Sequence, residues 1–397
     1  MIRVLLLASL VAVPGWLPSG QPDRFDWSGP VGSSKSFLTA TGHGSLLLTW
    51  FERRVGNHHA LMIAERRDGR WSTPRVVAES DRFFVNWADF PSVAQSSTGT
   101  WAVHWLEKTA AKSYAYHVRL TTSADQGRTW TAPITVHRDT TPTEHGFVAM
   151  VPGANGSIQI TWLDGRAMVD TAGAMSVRTT AWLPGGGLAP ETMLDPRTCE
   201  CCQVSMARTS TGLIAAYRDR SLEEVRDIAV VREVGGRWTE PKIVADDRWV
   251  WKACPVNGPA IAANGQDVGV AWFTAAGGKN AVKFAGSANG GATFNPPVRV
   301  DLGNTLGRVH LQMTGPATAV VTWLEASGDG AAWYARRIAR QQLGRPVLVG
   351  QTARTRDGGF ARTAILNEDI FITWTDPGSN QVESRIRVKR IPLAQVK

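Results

Sequence analysis

The sequence predicts an all-β protein, a β-propeller of four-stranded antiparallel blades, with seven blades favoured and six as the alternative. Three observations predict it. Apolar stretches that end in an aromatic recur at Trp50, Trp105, Trp162, Tyr217, Trp272, Trp323 and Trp374, at intervals of 55, 57, 55, 55, 51 and 51 residues. A repeat of roughly 50 residues with β-rich units describes a ring of small sheets, each too thin to bury its own faces and therefore stacked on its neighbours. Within each repeat, apolar and polar residues alternate between Gly, Asn and Asp turns, and no segment carries a convincing amphipathic-helix period.

The elements follow in chain order. Met-Ile-Arg precedes "VLLLASLVAVPGWL", an apolar run interrupted by Pro14, which reads as a signal peptide over residues 1–22 with one propeller domain over 23–397. A retained N-terminal anchor is the alternative. No later stretch approaches the roughly 18 apolar residues of a membrane helix, so the expected protein is secreted or periplasmic, has no membrane span after cleavage, and is a monomer. Each repeat then runs from a short apolar strand such as "PSVAQ" through a glycine turn to the Trp-ending strand. A variable loop leads to a third strand such as "YHVRLTTS", and a tight turn to a fourth such as "PITVH". The last repeat stops after "SRIRVKRI", whereas "FDWSGPV" near the N-terminus reads as a lone fourth strand. Letting that N-terminal strand complete the last blade closes the ring and removes free sheet edges.

Two of the turns between third and fourth strands carry a motif. "SADQGRTW" places Ser123, Asp125, Gly127, Thr129 and Trp130 in the spacing Ser-x-Asp-x-Gly-x-Thr-Trp, and "SANGGATF" repeats it with Ser287, Asn289, Gly291, Thr293 and Phe294. The Asp or Asn side chain ties down turn N–H groups, Gly accepts a positive φ, and the aromatic plugs the sheet beneath. These residues are structural. The pattern is the Asp box, and with the repeat it resembles the sialidase, or BNR-repeat, superfamily. The resemblance implies an exo-α-sialidase-like glycosidase acting on anionic, sialic-acid-type glycans, needing no cofactor. The Arg-Ile-Pro signature of those enzymes occurs only at Arg390–Pro392, at the far end of the chain, so no arginine role is carried over from it.

A formal charge of +9 fits an anionic glycan or glycoconjugate as partner, and the dispersal of the basic residues argues against nucleic acid. Loops joining strand four to the next strand one share a rim with those joining strands two and three. Nearly every unusual motif falls on that rim, where loops on a rigid scaffold collect binding residues. For a sialidase-like reaction, rim position suggests Arg166, Arg218 and Arg308 as carboxylate clamps with Asn257 beside them. It suggests Asp89 as general acid, and Tyr217 with Glu224 as nucleophile and its base. Tyr217 also fills the slot that Trp holds in the other repeats, which reads as core packing. His145 in "EHGF" suits acid–base work or metal ligation as well as a structural role.

The cysteines are read separately. "TCECCQ" gathers Cys199, Cys201 and Cys202, and Cys254 lies in the next between-blade loop. An even count in an exported chain points to disulfides, with Cys254 bonded to one of the cluster. The alternative is a thiolate site for Zn or Cu in a non-hydrolytic binding propeller.

Overall fold

The computed structural model describes residues 25–110, 114–170, 173–378 and 382–397, and the expected signal peptide lies outside them. These residues form seven antiparallel sheets, the blades of a propeller. Blade 1 is built from Ser33–Ala40, Leu46–Arg53, His59–Arg67 and Arg75–Ser80, and blade 2 from Val93–Gln95, Trp101–Lys108, Tyr116–Ser123 and Ile134–Thr135. Blade 3 holds His145–Pro152, Ile158–Asp164, Ser176–Trp182 and Thr192–Asp195; blade 4 holds Ser205–Arg208, Leu213–Arg218, Ile228–Val234 and Lys242–Ile243. Blade 5 is Ala260–Asn264, Asp267–Thr274, Ala281–Ser287 and Val298–Arg299, and blade 6 is Thr305–Gly315, Thr318–Ser327, Gly330–Ala339 and Val347–Thr352. Blade 7 takes Arg362–Leu366, Asp369–Asp376 and Arg385–Pro392, and its outer strand is the N-terminal Trp27–Ser28, with Trp27 opposite Val388 and Ser28 opposite Arg387. The ring therefore closes at seven, through the N-terminal strand. The described helices are short 3-10 turns, none long and apolar enough to cross a membrane.

The aromatic that ends each second strand is buried, from 0 % exposed at Trp50, Trp162, Tyr217 and Trp323 to 3 % at Trp105. A buried indole N–H needs an acceptor, and the local sequence supplies one as an acid two residues on. Trp50 Nε1 donates to Glu52 at 3.0 Å, Trp162 Nε1 to Asp164 at 2.8 Å and Trp323 Nε1 to Glu325 at 2.6 Å. Glu52 and Asp164, on the rim by sequence, are thus partners of the core.

The Ser123–Trp130 turn has the local physics its sequence implies. Asp125 Oδ1 accepts from the Arg128 and Thr129 N–H groups at 3.0 and 2.9 Å, Ser123 Oγ accepts from Gly127 N at 2.7 Å, and Gly127 has φ 77°. Asn289 takes the same place in the second turn, accepting from Thr293 N at 2.9 Å, while Ser287 Oγ accepts from Gly291 N at 3.0 Å.

First strands line an axial channel of about 260 Å³, walled by residues such as Leu38, Met150, Met206, Leu311 and Arg362. Several of these strands open on a bulge that re-aims their first residues over the mouth. The register breaks between Ser34 and Phe37, between Gly146 and Ala149 and between Gly307 and His310, and Lys35, Phe147 and Arg308 inside those breaks have φ of 59°, 53° and 55°.

Candidate functional site

The mouth of the channel is closed by one segment, Trp87–Phe90, in the connection leading into blade 2. It touches blades across the ring. Gln203 of blade 4 donates from Nε2 to the Ala88 carbonyl at 2.8 Å while its Oε1 accepts from Gly258 N at 2.9 Å. The Arg308 guanidinium lies 5.0 Å over the Trp87 ring, and Phe360 stacks on the same indole at 5.8 Å. Asp89 accepts from Phe147 N at 2.6 Å. A side chain at Gly146 would collide with Asp89 Oδ2, which accounts for the glycine in "EHGF".

Sealing the axis leaves a recess of about 210 Å³ at the side of the mouth, between blades 1, 2 and 7, lined by Lys35, Arg53, His59, Asn86, Trp87 and Asp357 among others. Burial pushes the Lys35 ammonium below its usual range, Asp357 acts against that, and Arg308 adds to it. Two residues after Trp87, Asp89 is 4 % exposed. Burial pushes its carboxyl up to about 7, the Phe147 N–H pulls down, nearby Glu144 pushes up and Arg362 pulls down. A carboxyl titrating near neutrality can carry a proton into a reaction. Of the expected acid, nucleophile and base, Asp89 has a carboxyl held near neutrality, but that carboxyl is turned to the Phe147 N–H and does not line the recess.

The other expected site residues go elsewhere, and the reasons are physical. Arg218 is 1 % exposed, and its guanidinium donates to the Asn257 carbonyl at 3.0 and 2.8 Å, to Arg226 O at 2.6 Å and to Phe273 O at 2.6 Å, with Trp249 at 4.8 Å over it. With its donors bound to backbone, it staples blade 4 to blade 5 and clamps no substrate. Arg166 pairs with Asp164 at 2.7 Å and Glu191 at 2.8 Å, so its fork is taken as well. Arg308 donates to Gly359 O at 3.0 Å and Thr355 O at 3.1 Å, bracing the plug. Asn257 Oδ1 receives the Arg308 N–H at 2.7 Å and is part of the same brace.

Tyr217 and Glu224 do not form a nucleophile and base. The Tyr217 hydroxyl, 0 % exposed, donates to Asp195 at 2.6 Å, and burial with Asp195 raises it far above the usual phenol range. Glu224 is held by Arg220 at 2.6 Å and Arg226 at 2.9 Å, and the Arg220 hydrogen bonds lower it to about 2. A carboxylate so deeply stabilised is a poor base. Tyr217 instead does what its repeat slot implies and packs the core, a phenol replacing the indole and finding its own acid.

The cysteines are paired as two disulfides, Cys199–Cys202 and Cys201–Cys254, the second joining the loops before blades 4 and 5. Oxidised sulfurs offer no thiolate, so the cysteine loop as built is a clasp. Beside it, Glu200 bridges Arg220 and Arg226, the latter at 3.0 Å. His145 lies apart from the mouth, in the seam between blades 2 and 3, with two histidines that the sequence pattern did not single out, His117 and His137. No single stretch contains all three. The available signal was position alone: all sit where strands meet the same rim.

No protein-family model matches the sequence, and no curated protein matches it. Solved structures do match. Polysaccharide lyase Uly1 aligns over 96 % of this chain and 94 % of its own at 10 % identity and TM-score 0.56. A protein of unknown function from Dyadobacter fermentans aligns over 92 % and 98 % at 12 % identity and TM-score 0.51. The NanB sialidase from Streptococcus pneumoniae aligns over 96 % and 72 % at 11 % identity and TM-score 0.50. The chain spans 63 % of the length of a Hadza microbial sialidase, 17 % identical, with 74 % of this chain aligned at TM-score 0.47. At such identities the likeness is one of fold.

Proposed function

We propose that this chain is an exported, carbohydrate-active propeller that takes the acidic end of an anionic glycan in the recess beside the plugged mouth, with Asp89 as proton donor. One observation carries the reading. Lys35 and Arg53 line one small recess with the indole of Trp87, two residues before a buried carboxyl held near neutrality. Cations neutralise a sugar carboxylate, and an aromatic body packs against the apolar face of a sugar ring. The recess is smaller than the roughly 300 Å³ at which drug-sized pockets begin, which suits one terminal sugar and hence exo action. Two solved structures of the same fold are a sialidase and a polysaccharide lyase. The two disulfides suit an oxidising compartment. Within this class, a sialic-acid glycoside is the substrate we favour.

The test is a panel of fluorogenic sialosides and uronides with binding of the free acids followed in parallel by saturation-transfer NMR. Lys35→Ala and Trp87→Ala should weaken binding tenfold or more, taken as about 1.4 kcal/mol. Asp89→Asn should keep binding and lose turnover. Absence of binding by every acidic sugar, or binding untouched by Lys35→Ala and Trp87→Ala, would overturn the proposal. A binding propeller without turnover is the second reading, favoured because Tyr217 and Glu224 are separately engaged. It predicts binding with no released fluorophore.

A further inference from the structure

The His cluster between blades 2 and 3 is built differently from the rest of the rim. His117 sits on the third strand of blade 2, and His137 follows that blade's fourth strand, which pairs back so that Thr135 opposes Arg119. His145 opens blade 3. The His137 and His145 rings stack at 3.8 Å and 7°, and His117 approaches His137 edge-on at 4.7 Å.

Backbone carbonyls decide which nitrogens carry the protons. A carbonyl only accepts, so a ring nitrogen bonded to one must be N–H. His145 Nδ1 donates to Tyr116 O and Thr143 O, both at 3.2 Å, and His137 Nδ1 donates to Asp139 O at 3.0 Å. In the neutral rings both Nε2 atoms are then bare lone pairs. Those two atoms and His117 Nδ1 are buried and form no hydrogen bond among the described residues. His145 is 0 % and His137 4 % exposed, so water does not serve them freely, and an unmet buried lone pair costs about 1–3 kcal/mol. Asp139 Oδ2 lies 3.0 Å from His145 Nε2, off hydrogen-bond geometry, and Asp164 Oδ2 lies 3.8 Å away. Two such atoms at that distance need positive charge between them, either a proton on Nε2 or a metal ion.

We propose that His117, His137 and His145, with Asp139 as the fourth ligand, form a binding site for a divalent transition-metal ion of the zinc class. Imidazole and carboxylate are the donors that Zn²⁺ takes in tetrahedral sites. Imidazoles fixed by carbonyls at the opposite nitrogen are the outer support such sites use. One nitrogen from each ring lies within 4.8 Å of the others. In a tetrahedral site they would stand about 3.3 Å apart, so to take an ion the stacked His137 and His145 rings must rotate out of their parallel planes to aim both lone pairs at it, and Asp139 must swing in beside them. Of the neighbouring cations, Arg166 is already neutralised by Asp164 and Glu191, and Arg119 lies beside Glu107. His117 is only half-buried, so an ion can enter past it. The ion would tie blade 2 to blade 3 at a seam bearing no cysteine.

The test uses the whole chain with its disulfides intact and ZnCl₂ as the probe. Calorimetry after chelation should give one ion per chain, at about 1 μM or tighter by the standard of structural zinc sites. Zinc at a hundredfold excess over that constant should raise the melting temperature by about 2–5 °C, reversed by EDTA. His117→Ala, the least buried of the three, should weaken binding at least a hundredfold and leave the melting temperature of the metal-free protein within about 2 °C. X-ray absorption of the zinc-loaded wild type should show imidazole and oxygen scattering without sulfur, a readout independent of any variant's folding. No binding below 1 mM, a sulfur shell, or unchanged binding in His117→Ala would each overturn the assignment.

Discussion

The seam between blades 4 and 5 and the seam between blades 2 and 3 hold comparable sets of metal-type donors and use them in opposite ways. At the first, four sulfurs are consumed in two disulfides and Arg218 has spread its donors over three carbonyls. At the second, three ring nitrogens form no hydrogen bond among the described residues, and one of them faces Asp139 Oδ2 at 3.0 Å. The lesson concerns where function is to be sought. Crowded chemistry in a sequence is not thereby free chemistry, and donors that the fold positions but does not satisfy are the ones open to a ligand.

The comparison can be broken at several points, beginning with the largest effect. Arg218→Ala should cost about 3–5 kcal/mol of unfolding free energy, because it strips a buried cation from three carbonyls and an indole. Arg166→Ala at the histidine seam, a partly exposed guanidinium whose hydrogen bonds go to the buried Asp164 and to Glu191, should cost less, about 2 kcal/mol. Urea melts of the two variants check this, and equal losses would erase the contrast. Opening the Cys201–Cys254 clasp with Cys254→Ser should cost about 2–4 kcal/mol by chain entropy across its 53-residue separation. Breaking Cys199–Cys202, with a separation of 3, should cost less, about 2 kcal/mol.

Asp89 gives a pH-dependent test. Its folded carboxyl titrates near 7, above the unfolded value of 3.8, so between about pH 4 and 7 the native state binds more protons than the unfolded state. Stability from this group is full below about pH 4 and is lost as pH rises through 7. Asp89→Asn keeps an acceptor for Phe147 N and never ionises. Relative to the variant, the wild type should therefore lose on the order of 4 kcal/mol between pH 4 and 8, read from melts across that range. The smallest expected effect separates two indoles. Trp162→Phe removes the donor to Asp164, beside His145, and should cost about 1 kcal/mol more than Trp105→Phe, whose Nε1 has no partner among the described residues.

How much of this was legible in the sequence follows from the range of each interaction. The seven-bladed ring was legible because its signal is a repeat: burial imposes the same aromatic on every second strand, and the N-terminal strand is the one piece missing from the last blade. The Ser123–Trp130 turn was legible because all its hydrogen bonds are local. The rim was legible as a rim. Roles on it were not, because they depend on which partners meet. Nothing in "YRDRS" shows that Arg218 will find the carbonyls of Asn257 and Phe273, 39 and 55 residues away. Nor does "NWADFP" reveal that it crosses the axis to Gln203. The three histidines belong to two strands and the end of a third, and only the pairing of blade 2 with blade 3 brings them together. One clue was within reach: an acid two residues after a core Trp serves the indole, which would have removed Glu52 and Asp164 from the rim.

Native mass spectrometry of the oxidised, zinc-equilibrated protein reads both seams at once. The account predicts a single species that carries one zinc ion and lacks four cysteine hydrogens, with the ion lost in His117→Ala while both disulfides remain. Zinc that binds only after the disulfides are reduced, or no zinc at all, would contradict it.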